Sequence, residues 1–70
     1  MILLNNVVNY LETDTYTILV KGTADIYFKT AELSDFIKDS TLTDTTGTFI
    51  AKQGMQIKAV YTTTAEVVLI

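Results

Sequence analysis

The side chains equipped for chemistry are eight carboxylates, five lysines and four tyrosines; histidine, cysteine and arginine are absent. Three sets of carboxylates stand close enough in sequence to suggest acid–base work: Glu12 with Asp14, Asp35 with Asp39, and Asp25 near Lys29. A glycosidase-type pair must flank a substrate cleft. A chain of 70 residues leaves little material for a pocket of ordinary size, so these groups read as solvated charges. Without His or Cys, the commonest general base and two familiar nucleophile systems are missing. Zinc or a transition metal on Cys/His ligands is excluded for the same reason. Asp39, Asp44 and the threonines around them offer oxygen to calcium, but the acidic spacing of an EF-hand is absent. Gly22, Gly47 and Gly54 read as glycines of three separate turns, so no phosphate loop exists. The sequence therefore predicts no catalytic site, no cofactor and no tightly held metal.

Charge narrows the partners. The cations are Lys21, Lys29, Lys38, Lys52 and Lys58, the net charge is −3 and the isoelectric point is near 4.5. Nucleic-acid binding rests on Lys/Arg neutralisation of phosphates, and base reading leans on arginine. An acidic chain with dispersed lysines argues against it. A platform for single-stranded nucleic acid would interleave aromatics with basic residues, whereas Tyr10, Tyr16, Tyr27 and Tyr61 fall on separate strands with acids nearby. These tyrosines read as strand-face packing or protein contacts. Tyr27, opposite the Ile26/Phe28 face and beside Lys29, is the foremost candidate for an exposed interface aromatic. No basic membrane-surface stretch, signal-type segment or membrane-length apolar run is present, so no membrane partner is expected.

The elements that position these groups read as strands. Thirteen threonines, with the Val, Ile, Tyr and Phe content, favour β-structure. An apolar run at Met1–Leu4 continues through Val7, Val8, Tyr10 and Leu11, followed by a turn at Glu12–Thr15. Tyr16, Ile18 and Val20 then alternate with polar or outward positions, and Gly22 supplies a tight turn. The chain returns through Ala24, Ile26 and Phe28 as the second strand of a hairpin. Residues 31–39, AELSDFIKD, carry Leu33, Phe36 and Ile37 on one helical stripe, which predicts a short helix of about two turns near Ala31–Lys38, capped by Thr30. Residues 41–48, with five threonines, read as a polar loop. Phe49–Lys52 and Met55–Tyr61 flank Gln53-Gly54 as a second hairpin. Thr62-Thr63-Thr64 lead into a last strand, Ala65–Ile70. The expectation is one domain spanning residues 1–70, mainly β. It is a small antiparallel domain, sandwich or barrel-like, of five or six short strands with one short helix.

Size and hydropathy argue for association. A core this small rarely supplies more than roughly 3–5 kcal/mol without a staple. Disulfides and Cys/His metal sites are unavailable, and the mean hydropathy is +0.32. Oligomerisation is the remaining staple. Both ends are apolar: Met1, Ile2, Leu3 and Leu4 at one, Val67, Val68, Leu69 and Ile70 at the other. Ile2, Leu3, Leu4, Val67, Val68, Leu69 and Ile70 are expected to be buried, many of them between subunits or against a larger protein. The two ends either pair as adjacent strands within one subunit or add to a neighbour's sheet edge.

The segment TGTFIAKQGMQIKAVYTTTAEVVLI, the threonine-rich stretch before it and the cysteine-free acidic composition give the chain a style similar to small virion proteins of tailed bacteriophages. These include capsid decoration and head-fibre-base proteins. The resemblance implies a non-enzymatic structural protein at the capsid surface, decorating or stabilising a shell or anchoring a fibre. It also implies a homo-oligomer, with a trimer favoured, and a partner such as a major capsid protein. The alternative is a small acidic binding module that inhibits a host enzyme, which would place the protein in the cytoplasm. Eight carboxylates are sparse for an acidic mimic, and particle mass or oligomer size separates the two.

Overall fold

The computed structural model describes residues 1–62 and 64–70, so one threonine of the predicted Thr62–Thr64 lead-in lies outside the described residues. Five strands form one antiparallel sheet: β1 (Asn9–Tyr10), β2 (Asp14–Lys29), β3 (Ile37–Ala51), β4 (Gln56–Val60) and β5 (Glu66–Leu69). The mainly β, antiparallel expectation holds. Two of the strands are long, however, and no helix is present among the described residues.

β2 organises the sheet. Along one edge it pairs with β3 over nearly its whole length. Along the other, its first half pairs with β5, through Ile18↔Leu69 to Lys21↔Glu66, and its second half with β4, through Asp25↔Val60 to Lys29↔Gln56. β1 completes the far side of β4. The predicted hairpin around Gly22 is therefore a single strand. Lys21 and Gly22 stand against Asp44 alone, between the pairs Val20↔Thr45 and Thr23↔Thr43. This is a two-against-one bulge, which bends the strand without reversing it. Gly22 has φ +89° and Asp44 φ +46°. Glycine takes that region freely, and aspartate is among the few other residues that enter it readily. The Gly22 amide donates to Asp44 Oδ1 at 2.9 Å, tying the bulge across the strands.

The threonine-rich stretch 41–48 is the middle of β3, not a loop, and Gly47 lies within that strand rather than in a turn. Polarity here reflects an edge position. β-branched threonine suits a pleated, half-exposed strand. The predicted helix is replaced by turns and bends over residues 31–35, and Ile37–Asp39 begin β3. Its stripe spans little more than one turn, too short to offset the cost of helix nucleation. Pairing with the end of β2 claims Ile37 and Lys38 instead, opposite Phe28 and Tyr27. Thr30 accepts a hydrogen bond from the Leu33 amide through its carbonyl, closing one turn. The Gln53-Gly54 turn is present, with Gly54 at φ +86°, but the strands it joins, β3 and β4, lie on opposite edges of β2 and do not pair as a hairpin. The turn is held by the segment after β1: the Gly54 amide donates to Leu11 O, the Leu11 amide to Met55 O, and the Gln53 amide to Thr13 Oγ1.

The bend brings the inner faces of the two sheet halves together. Phe49, opposite Tyr16, meets Phe28 edge-on at 4.9 Å between centroids, although Phe28 stands opposite Ile37 at the other end of the β2–β3 ribbon. Leu3, Leu11, Ile18, Val20, Ala24, Ile26, Ala51, Ile57, Ala59, Val67 and Leu69 form the core between them.

The bulge generates a testable ranking of glycines. A Cβ on Gly22 would lie 3.2–3.3 Å from Ala65 and the Thr64 carbonyl, in a left-handed backbone, whereas at Gly54 it would meet open space. We expect Gly54→Ala to cost only the left-handed penalty, about 1–2 kcal/mol, and Gly22→Ala to cost more, read as the larger fall in Tm by thermal unfolding.

Candidate interaction surface

The termini are tied into the sheet of their own chain. Met1 and Leu69 exchange two hydrogen bonds, the Met1 nitrogen to Leu69 O at 2.8 Å and the Leu69 amide to Met1 O at 2.7 Å. The Leu3 amide donates to Val67 O, and Ile2 stands opposite Val68. Further along, the Asn6 amide donates to Ala59 O, the Tyr61 amide to Asn5 Oδ1, and the Tyr61 hydroxyl to Leu3 O. Of the two arrangements open to the apolar ends, pairing within one subunit is the one found.

Strand alternation then divides the seven predicted terminal residues. In β2 the even positions Tyr16 to Phe28 face the core, so partners of Ile18 and Val20 do too. Leu69 and Val67 are those partners, and both are buried, as is Leu3. Within the chain itself the other four stay outside the core. Ile2 is 69% exposed, Leu4 60% and Ile70 72%, while Val68 is half-buried. They belong to the opposite face, where Leu19 of β2 joins them. Cross-strand register lines up Ile2, Val68, Leu19 and Thr46 as one row, and Ile70, Thr17 and Thr48 as the next, with the Thr17 amide donating to Ile70 O and the Ile70 amide to Thr17 O. Leu19 and Val68 floor a shallow groove rimmed by Lys21, Asp44 and Glu66. An apolar centre with a charged rim is the anatomy of a protein–protein contact.

Tyr27 lies on the face predicted for it, but it is not free. It is half-buried, and the Lys58 ammonium sits 5.5 Å above its ring and 4.5 Å above that of Phe36. Lys58, which stands opposite Tyr27 on β4, thus links this aromatic to Phe36 of the loop before β3. Sequence pattern missed Ile50, which is 77% exposed, and Tyr10 at 71%. The signal was present at Ile50: it is an apolar residue out of phase with Phe49 and Ala51, on the outward parity of its strand.

Four of the carboxylates are held by groups near them in the sheet and its turns. Asp25 is bound by Thr41 Oγ1 at 2.6 Å and by Lys38 at 3.4 Å, rather than by Lys29. Asp44 is engaged with Gly22, Asp14 Oδ1 accepts from the Thr15 amide and Asp35 Oδ1 from the Phe36 amide. No cluster of three or more His, Cys, Asp or Glu side chains able to hold a metal occurs among the described residues. Compared with family models, curated proteins and solved structures, the chain finds no match.

The Thr41 hydroxyl, and secondarily Lys38, hold the Asp25 carboxyl below its ordinary value of 3.8. A carboxylate lowered in the folded state contributes stability above its unfolded pKa and loses it as pH falls through the folded pKa. Asp25→Asn should therefore flatten the acid limb of the Tm-versus-pH curve below about pH 4, and an acid limb of unchanged slope in that variant would contradict the assignment.

Proposed function

We propose that this is a non-enzymatic structural protein that works by packing its outward sheet face against a larger protein assembly. The observation that carries the reading is the row Ile2–Val68–Leu19, apolar side chains aligned across three chain segments on a face that its own subunit leaves open. Exposed apolar side chains scattered singly are ordinary, whereas an aligned patch rimmed by charge marks an interaction site. The residue types support the same view. A chain without His or Cys, whose carboxylates are spread and several of them tied to neighbouring amides and hydroxyls, is poorly equipped for acid–base or nucleophilic catalysis.

The setting we propose is a virion of a tailed bacteriophage, with a protein shell such as a major capsid protein as the partner and the capsid surface as the location. The sequence style supports this. So does the acidic, arginine-free composition, since a surface facing packaged nucleic acid would tend to be basic. In that setting the bent sheet acts as a barrel-like unit, inner face closed on its core and outer face applied to the shell. A homo-oligomer would repeat that face around a symmetry axis.

Deleting Val68–Ile70 would remove Leu69 from the core along with the outward residues, so point substitutions make the cleaner test. The double substitution Ile2→Thr/Val68→Thr keeps β-branched residues in both strands. It should preserve the circular dichroism spectrum and lower occupancy on purified particles, measured by quantitative mass spectrometry, at least tenfold. Leu69→Ala, by contrast, should cost about 2–5 kcal/mol of folding stability. Full occupancy of the double variant on particles, or recovery of the native protein bound to a soluble host enzyme instead, would overturn the reading.

A further inference from the structure

We propose that β3 is a pairing edge for a second copy of this chain, joined antiparallel about a two-fold axis with Thr48 opposite Thr48 of the other copy. This goes beyond the outward face and rests on different observations. β3 ends the sheet, bonded to β2 on one side only. Its two halves differ. From Ile37 to Asp44 the edge carries Lys38 and Asp39, and both irregularities of register fall there, at Asp39 and Asp44. Charges and bulges are the means by which sheet edges resist pairing. From Thr45 to Ala51, TTGTFIA, there is no charge, no proline and no bulge.

The backbone fixes which residues can bond outward. Thr17 gives both its amide and its carbonyl to Ile70 on the β5 side. Its β3 partner Thr48 is therefore a non-hydrogen-bonded neighbour, and the Thr48 N–H and C=O point away from β2 to the free edge. By alternation the same holds for Thr46 and Ile50, opposite Leu19 and Thr15. Pairing must match these outward residues with one another. With Thr48 at the axis, Thr46 meets Ile50 of the other copy.

Charge selects this register among those the backbone permits. With Thr48 at the axis, Asp44 falls opposite Lys52 of the other copy, and Lys52 opposite its Asp44. The uncharged run is thus bracketed by two opposite-charge pairs. Moving the axis to Gly47 would set Asp44 against Ile50 and Lys52 against Leu42; moving it to Phe49 would set Lys52 against Thr46 and Asp44 against Gly54. Side chains agree with the central choice. Ile50 would extend the other copy's outward row Ile2–Val68–Leu19–Thr46. On the inner face Phe49 would stand opposite Gly47, an aromatic–glycine pairing that covers the bare backbone of an edge glycine. Opposite-charge and threonine–threonine cross-strand pairs are each favourable.

The chain has no cysteine, so a single introduced thiol reports the register. Under mild oxidation, T48C should form a disulfide-linked dimer, because directly opposed residues of such a pair lie about 5.5 Å apart at Cα, within disulfide range. T46C and I50C, each offset from its own copy, should remain mostly monomeric, while T46C mixed with I50C should cross-link. In sedimentation equilibrium the native protein should dimerise with concentration. K52E, which sets two carboxylates together, should weaken the dimer at least tenfold, and D44N/K52E should recover part of the loss. T48P removes only an outward amide and should abolish pairing; should it unfold, T48C and K52E carry the test. A native protein monomeric at about 1 mM, equal cross-linking of T46C and T48C, or no response to K52E overturns the proposal. Failure here leaves the outward face untouched, since I2T/V68T on particles reads that face alone. The contact is two-fold, so a trimer without a dimeric building block would also contradict it.

Discussion

The rest of the structure depends on β2 being hydrogen-bonded along both edges. A strand of 16 residues would form a long flat ribbon if it ran straight. The Gly22–Asp44 bulge bends it, so that one strand serves two sheet halves whose inner faces meet at Phe28 and Phe49. β5 and β4 then take consecutive stretches of the same edge, and the first residues of the chain close over β5 and β4 in turn. A small core becomes possible without disulfide or Cys/His metal because the apolar ends are strands of that core rather than loose tails. Only half of their side chains can point inward, since successive residues of a strand face opposite ways.

That division links fold to function. Leu3, Val67 and Leu69 close the interior, and the same pairing necessarily turns Ile2, Val68 and Ile70 outward. An exposed apolar row is thus built by the fold itself. Paired strands hold their side chains in fixed register, which suits the repeated contact we propose. The edge of β3, bonded on one side only, is the second surface we propose for association, with hydrogen-bonding groups instead of apolar area.

Much of this was legible in the sequence, and the failures have common causes. Strand content, the absence of reactive residue types and the importance of the apolar ends follow from composition and alternation. The bulge was hidden because Gly22 is compatible with a reversing turn and with a bend alike; only the Asp44 partner, 22 positions away, decides between them. Residues 41–48 read as a loop on polarity alone, whereas threonine at an exposed edge is both polar and β-forming. The helix at 31–39 failed because local periodicity over one turn cannot compete with a long-range ladder to β2. Tyr27 was placed on the right face, but its cover, Lys58, lies on a strand whose pairing no local pattern reveals.

Residue-resolved amide hydrogen exchange, followed from dilute to concentrated solution, tests the central claim most directly: that one doubly bonded strand leaves a specific, associable edge on its neighbour. Along β2, amides on both sides of Gly22 should be protected at every concentration. In β3, Gly47 and Phe49 should be protected throughout, while Thr46, Thr48 and Ile50 exchange rapidly in dilute solution and slow together as concentration rises. Rapid exchange of β2 amides around Gly22, or outward β3 amides whose rates ignore concentration, would contradict the account.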